Sequence, residues 1–219
     1  EDEALADAVN GVAPGAIARA CAGAGIPLVH ISTDYVFDGS GRAPRPPDAP
    51  TAPLGVYGRT KLAGEEAVRA AGGVHAILRT SWVFSPHGAN FVKTMLRLSE
   101  TRDTLSIVAD QIGGPTSARA IAAACLRIAA RLQEAPALSG TYHFAGAPDV
   151  SWADFARAIF DAAGRRVAVR DIPSSDYPTP AARPLNSRLD CRTTESAFAI
   201  ARPDWRIDLR DTLNAMGAA

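Results

Sequence analysis

The chain has 219 residues and is 47% hydrophobic, enough to bury a sizeable core in one or two domains. Lysine plus arginine balances aspartate plus glutamate at 23 each, with no long block of either sign, which excludes the electrostatic footprint of a nucleic-acid or anionic-membrane binder. Cys21, Cys125 and Cys191 are far apart and lack CxxC spacing, so they point to a reducing cytoplasm rather than a disulfide framework, and no run reads as a signal peptide or membrane span.

In chain order, short β-branched apolar runs alternate with alanine-rich segments of helical period, the pattern of an α/β protein with a parallel sheet. Residues 15–24 place Ile17, Ala18, Cys21 and Ala22 on one helix face and run into Gly23 and Gly25. IPLVHIS, 26–32, reads as a buried strand. The five prolines between 44 and 53 then predict a long loop leading to a helix over 58–71, ended by Gly72 and Gly73. HAILRTSWVF, 75–84, predicts the next strand, NFVKTMLRLSE a helix, and SIVAD another strand. QIGGPTS is turn chemistry, ARAIAAACLRIAARL a tightly packed helix and TYHFAG a strand. Ser151 and Asp154 form a capping pattern opening SWADFARAIFDAAG; VAVRDI follows as a strand, and the tail holds two short amphipathic helices between proline-rich loops.

Three polar clusters fall at predicted strand ends: Ser32-Thr33-Asp34-Tyr35, Thr80-Ser81-Trp82 and Asp110-Gln111. Ligands of open parallel sheets bind outside the carboxyl ends of the strands, so the three are expected to share one crevice. Tyr57 and Lys61, spaced i and i+4, are neighbours on one helix face. A cation beside a phenol lowers its pKa from the usual value near ~10 and suits it to general acid work. Spacing alone leaves open a surface pair with no chemistry. The histidines His30, His75, His87 and His143 lack metal-ligand spacing, which points to structural roles and no metal site.

The wider text narrows the choice. ISTDYVFDG, VYGRTKLAGEE, LRTSWVF, DQIGGPTSA, GTYHFAG, ARPLNSRLD and PDWRIDL, in that order and nearly end to end, resemble the dTDP-4-dehydrorhamnose reductases of the extended short-chain dehydrogenase/reductase superfamily. The resemblance implies a Rossmann-like parallel sheet with helices on both faces plus a smaller α/β substrate-binding domain. It implies reduction of the C4 ketone of a dTDP-sugar by NADPH or NADH. By the same resemblance Tyr57 donates the proton, Lys61 lowers its pKa and holds the nicotinamide ribose, and Thr33 binds the reacting oxygen. Asp34, Tyr35 and Trp82 match positions lining the sugar site. Asn10 matches an asparagine near the lysine or marks a helix break; Arg183, Asn186 and Ser187 bind the diphosphate or pack the domains. Residues 1–85 then read as the remainder of the dinucleotide-binding domain and 86–219 as mainly substrate domain, with segments near 110–147 returning to the first. A homodimer is compatible with this reading.

One departure is that no GxGxxG or GxxGxxG turn precedes the first predicted strand. A fragment of a longer reductase is the expected explanation; the alternatives are a noncatalytic reductase-like regulatory subunit, or another nucleotide-sugar reductase or epimerase of the superfamily. A sheet without its first central strand exposes an apolar edge and face. The 219-residue chain is therefore expected to bind dyes that report exposed apolar surface, and cooperative unfolding as a bare monomer would count against that expectation.

Overall fold

The computed structural model describes residues 2–179 and 181–218. It opens with one continuous rod: α1 (Glu3–Asp7), a π-helical turn over Ala8–Val12, and α2 (Ala13–Ala24). Asp2 caps its start by accepting from the Leu5 N–H at 3.0 Å. The helix break considered at Asn10 is absent. Pro14 has no N–H to offer the Asn10 carbonyl four residues back, and the helix widens there instead of ending.

The main sheet follows from strand lengths and alternation. β1 (Leu28–Thr33), β2 (His75–Thr80) and β7 (Gly140–His143) run parallel in the order β1-β2-β7. Ile77 of β2 packs with Ala18 of α2 and Val68 of α3 (Val56–Ala70). Its neighbours Ala76 and Leu78 point the other way, against Ile121, Ala124, Ile128 and Leu132 of α5 (Ala118–Glu134). Helices thus cover both faces of the sheet. β1 has no second strand partner among the described residues. Leu5, Val9 and Val12, at helical spacing on the rod, are each about 60% exposed and form an apolar stripe along it.

A second core lies apart from the first. It joins Phe84 of β3 (Val83–Phe84), Val92, Met95 and Leu96 of α4 (Phe91–Ser99) and Leu105 of β4 (Thr104–Val108). Phe155, Ile159 and Phe160 of α6 (Trp152–Ala162) and Trp205, Leu209 and Leu213 of α8 (Trp205–Ala215) complete it. β4 pairs in parallel with β9 (Ala168–Ile172) beside this core. Short pairings of β5 (Ile112–Gly113) with β8 (Val150–Ser151) and β10 (Asn186–Ser187), and of β3 with β6 (Thr116–Ser117), link the two regions. α7 (Arg192–Phe198) packs Phe198 into the first core.

Two expectations need correction. The single strand over 75–84 is two, because Trp82 takes φ 50° and breaks the extended backbone between β2 and β3. QIGGPTS is not turn alone, since β5 and β6 form within it. The long loop after β1 behaves as its prolines require, apart from one 3-10 turn at Asp34–Val36, with Val36 and Phe37 anchoring it in a small core with Leu189 and Cys191.

The rod meets α3 at glycine. A Cβ on Gly64 would lie 2.1 Å from the Asn10 carbonyl oxygen, and one on Gly58 2.2 Å from that of Tyr35, so the helix carrying Tyr57 and Lys61 fits only where these side chains are hydrogen. Gly64→Ala is expected to lower stability by about 1–3 kcal/mol through overpacking. Thermal unfolding checks this; an unchanged midpoint would mean that the rod moves off α3 at no cost.

Candidate active site

α3 starts at Val56, immediately after the proline-rich loop, and presents Tyr57, Lys61, Glu65 and Arg69 at successive i+4 positions along one side. β1 and β2 end in register, with Thr33 opposite Thr80. Their polar ends and the first turns of α3 enclose an open crevice of roughly 420 Å³ lined by residues 31–35, Tyr57, Lys61 and residues 80–83. Thr33, Asp34, Tyr35, Tyr57, Lys61 and Trp82 therefore share one site. Asp110 and Gln111 do not join them. Asp110 accepts from the Ser174 N–H and hydroxyl, and Gln111 donates to the Ser174 hydroxyl at 2.9 Å, so this strand end pins a loop outside the crevice.

Thr33 is held for use. Its hydroxyl donates to Asp34 Oδ1 at 3.1 Å and accepts from the Tyr35 N–H at 3.2 Å, and it also faces the Tyr57 phenol. The rings of Tyr35 and Tyr57 meet edge to face at 5.7 Å. Lys61 donates to the Ile31 carbonyl at 2.6 Å. Burial pulls the ammonium below its usual pKa and the nearby Glu65 carboxylate opposes that fall.

The expected lowering of the Tyr57 pKa is not what the geometry gives. Burial raises it, Asp34 adds to the rise and only the Thr33 hydroxyl opposes; the lysine ammonium, bonded to the strand carbonyl, is not among the groups that act on it. Solvent moderates the effect, as Tyr57 is 48% exposed. Its phenol is thus protonated at neutral pH, the state a proton donor needs.

Asn10 donates to the Thr60 hydroxyl at 3.2 Å, one residue before Lys61, so the widened turn of the rod buttresses the reactive stretch of α3. Asn186 donates to the carbonyls of Ser40 and Ala43, which is loop packing, while Ser187 lies beside the Asp34 carboxyl. Arg183 bears on Tyr35, whose pKa its charge lowers against a net rise from burial. Trp82 reaches the crevice with one face already covered: Trp152 stacks on it at 3.6 Å and 9°. The sequence reading passed over Trp152 and the buried Glu65 and Arg79; an arginine inside the apolar run AILRT was the available signal.

Burial pushes the Asp34 carboxyl up from 3.8 to about 6, against the opposing effect of the nearby Ser187 and Thr33 hydroxyls. Since the folded chain binds this proton more tightly than the unfolded chain, stability falls as pH rises from about 4 to about 6, and the full cost is present above that window. Asp34→Asn is expected to raise stability by on the order of 1–3 kcal/mol near pH 8 and by much less near pH 4. Denaturant titrations at the two pH values check this, and an equal effect at both would show that Asp34 ionisation is not what the fold resists.

The chain matches the family described as the RmlD substrate binding domain over residues 1–218. It is 48% identical over 209 residues to a dTDP-4-dehydrorhamnose reductase of Sinorhizobium fredii, covering 93% of this chain and 71% of that protein. The crystal structure of a dTDP-4-dehydrorhamnose reductase from Clostridium acetobutylicum superposes with a TM-score of 0.91 at 35% identity, covering 99% of this chain and 75% of that one. The Bacillus anthracis dTDP-4-dehydrorhamnose reductase, solved in complex with NADP, superposes with a TM-score of 0.84 at 33% identity over 98% of this chain and 74% of that one.

Proposed function

The chain belongs to the dTDP-4-dehydrorhamnose reductase family, and on that premise we propose that it reduces the C4 ketone of dTDP-4-dehydro-β-L-rhamnose to dTDP-L-rhamnose with NADPH or NADH. The observation that carries the reading is the meeting of Thr33, Tyr57 and Lys61 on one crevice at the carboxyl ends of parallel strands. These residues suit the nicotinamide-ribose end of such a cofactor, since a phenol and an ammonium one helical turn apart stand on the wall of an open crevice. The sequence contains no GxGxxG turn for the pyrophosphate.

When bound, the cofactor supplies the hydride that adds to C4. The chain's residues handle the rest. The Thr33 hydroxyl, held by the Tyr35 N–H, turns its hydrogen from Asp34 Oδ1 to the ketone oxygen and holds that oxygen against Tyr57. The Tyr57 phenol gives its proton to the developing alkoxide, so the C=O bond becomes CH–OH and the phenolate remains. Lys61, released from the Ile31 carbonyl, stabilises that phenolate and hydrogen-bonds the ribose hydroxyls. Asp34, Tyr35 and the free side of Trp82 contact the deoxysugar. The first core, with residues 1–85 and the returning segment near 110–147, takes the cofactor side, and the second, mainly within 86–219, takes the sugar nucleotide. Three free cysteines and the lack of any membrane-length helix among the described residues support a cytoplasmic site of action. A homodimer belongs to the same reading, with sedimentation velocity as its check.

The possession of Thr33, Tyr57 and Lys61 together favours catalysis over a silent regulatory role. Tyr57→Phe is expected to slow the dTDP-4-dehydrorhamnose-dependent loss of NADPH absorbance by about 100-fold or more with the fold intact. A Tyr57→Phe protein that keeps the full rate would sink the assignment.

A further inference from the structure

Beside the crevice, a charged cluster is centred on a buried ion pair. Glu65 is fully buried, and Arg79 is 2% exposed. The guanidinium clasps the carboxylate by two bonds, Nε to Oε1 at 2.8 Å and Nη2 to Oε2 at 2.7 Å. The Ser32 hydroxyl donates to Oε1 at 2.6 Å, and Arg69 donates to Oε2 at 2.7 Å. Arg79 also donates to the Pro47 carbonyl at 3.0 Å and lies 5.0 Å over the Phe37 ring, which ties in the loop that precedes α3.

The position of this cluster is what matters for chemistry. Glu65 is one helical turn from Lys61 and two from Tyr57, on the same side of α3. Ser32 stands between Ile31, whose carbonyl receives Lys61, and Thr33. Helix and strand are therefore fastened at adjacent rungs, Lys61 to Ile31 and Glu65 to Ser32, with Arg79 locking the second rung to β2. A half-turn rotation of α3 would break both rungs and separate Tyr57 from Thr33.

We propose that Glu65 is a positioning residue for the reduction, holding α3 in register on β1 and β2 through Ser32 and Arg79 so that Tyr57 and Lys61 face Thr33. The proposal rests on the reductase reading of Tyr57 and Lys61. Glu65 has a second effect through its charge. Burial presses its carboxyl upward, but Arg79, Ser32 and Arg69 outweigh this and keep it ionised, and that negative charge supports the protonated form of Lys61. The groups packed around the pair are Arg69 on α3, His30 on β1, Arg79 on β2 and His143 on β7. Both histidines are neutral near pH 7, with pKa values of about 4 for His30 and about 3 for His143. The ionised group that acts on Lys61 there is thus Glu65, itself kept ionised by the two arginines.

The test uses the rarity of lysine. Lys61 and Lys93 are the two lysines of the chain, so 13C-lysine NMR follows Lys61 directly, with Lys93→Arg assigning its signal. Glu65→Gln is expected to lower the Lys61 pKa by about half a unit or more. The alkaline limb of the pH–rate profile should move down with it. Ser32→Ala, which leaves the ion pair intact, is expected to lower kcat by about 3- to 10-fold and to lower the melting point by what one lost hydrogen bond to a charged group costs, with the Lys61 titration nearly unchanged. A folded Glu65→Gln protein with an unmoved Lys61 titration and pH profile overturns the proposal. If Glu65→Gln does not fold, Ser32→Ala decides: wild-type kcat refutes, the stated loss supports. Failure of the reductase reading is seen separately, as full activity in Tyr57→Phe.

Discussion

The Glu65–Arg79 pair is the constraint from which the arrangement of the crevice follows. Two ionised groups with almost no access to water are tolerated only when their hydrogen-bonding capacity is filled, and removing one partner of such a pair typically costs about 3–5 kcal/mol. Here it is filled from several elements: Ser32 from β1, Arg69 from α3, and a carbonyl and ring from the loop before α3. Apolar contacts between α3 and the sheet, centred on Val68, Ile77 and Ala18, would stabilise the packing without choosing one rotation of the helix. Directional bonds choose it. The glycine contacts at Gly58 and Gly64 act with them by fixing how closely the helix approaches its neighbours.

Register alone does not make chemistry, and the protonation states show what the surroundings add. Lys61 is bonded to a strand carbonyl and Tyr57 is raised rather than lowered in pKa. A raised phenol pKa is compatible with proton donation because the donor must begin protonated. In the proposed mechanism the cation's work comes afterwards, when a phenolate appears beside it. Asp34 points the same way: its carboxyl takes the Thr33 proton in a hydrogen bond, leaving the Thr33 lone pairs and the Tyr57 hydroxyl to settle the direction of the remaining bond.

Much of this was legible in the sequence, and the parts that were not share a cause. Alternating apolar runs and helical periods gave the α/β class and the order of most elements, since β-branched strands and alanine-rich helices advertise themselves locally. Tyr57, Lys61 and Thr33 were found because one helical turn and one strand end are also local features. The site of Asp110 and Gln111 was misplaced because a strand's end does not say which sheet the strand joins; β4 pairs with β9 beside the second core, away from β1 and β2. The break at Trp82 was invisible because nothing in RTSWVF forbids an extended backbone. Glu65 was hidden by its neighbour, since GEE in an amphipathic helix reads as solvent-facing charge and only the partner strand shows that one of the two glutamates is buried.

Trp82 shows how the two cores are made to agree about one site. A bulky residue at φ 50° is strained by on the order of 1 kcal/mol or more and persists only when its surroundings over-determine it. Those surroundings come from the other side of the molecule. Trp152, at the first position of α6, covers one face of the indole, Phe91 of α4 packs on Trp152 at 4.6 Å, and Gly113 of β5 leaves space where a Cβ would come within 2.8 Å of the ring. The strained residue follows β2 of the first core directly, while what holds its side chain belongs to the second. Any shift of one core against the other must therefore either carry Trp82 along or unstack it, so the aromatic wall of the crevice keeps its place only while the two cores keep theirs. Tyr57 and Lys61 are referenced to the first core alone, through Glu65 and Arg79, which makes the indole stack the element that ties the aromatic wall of the crevice to the wall that carries Tyr57.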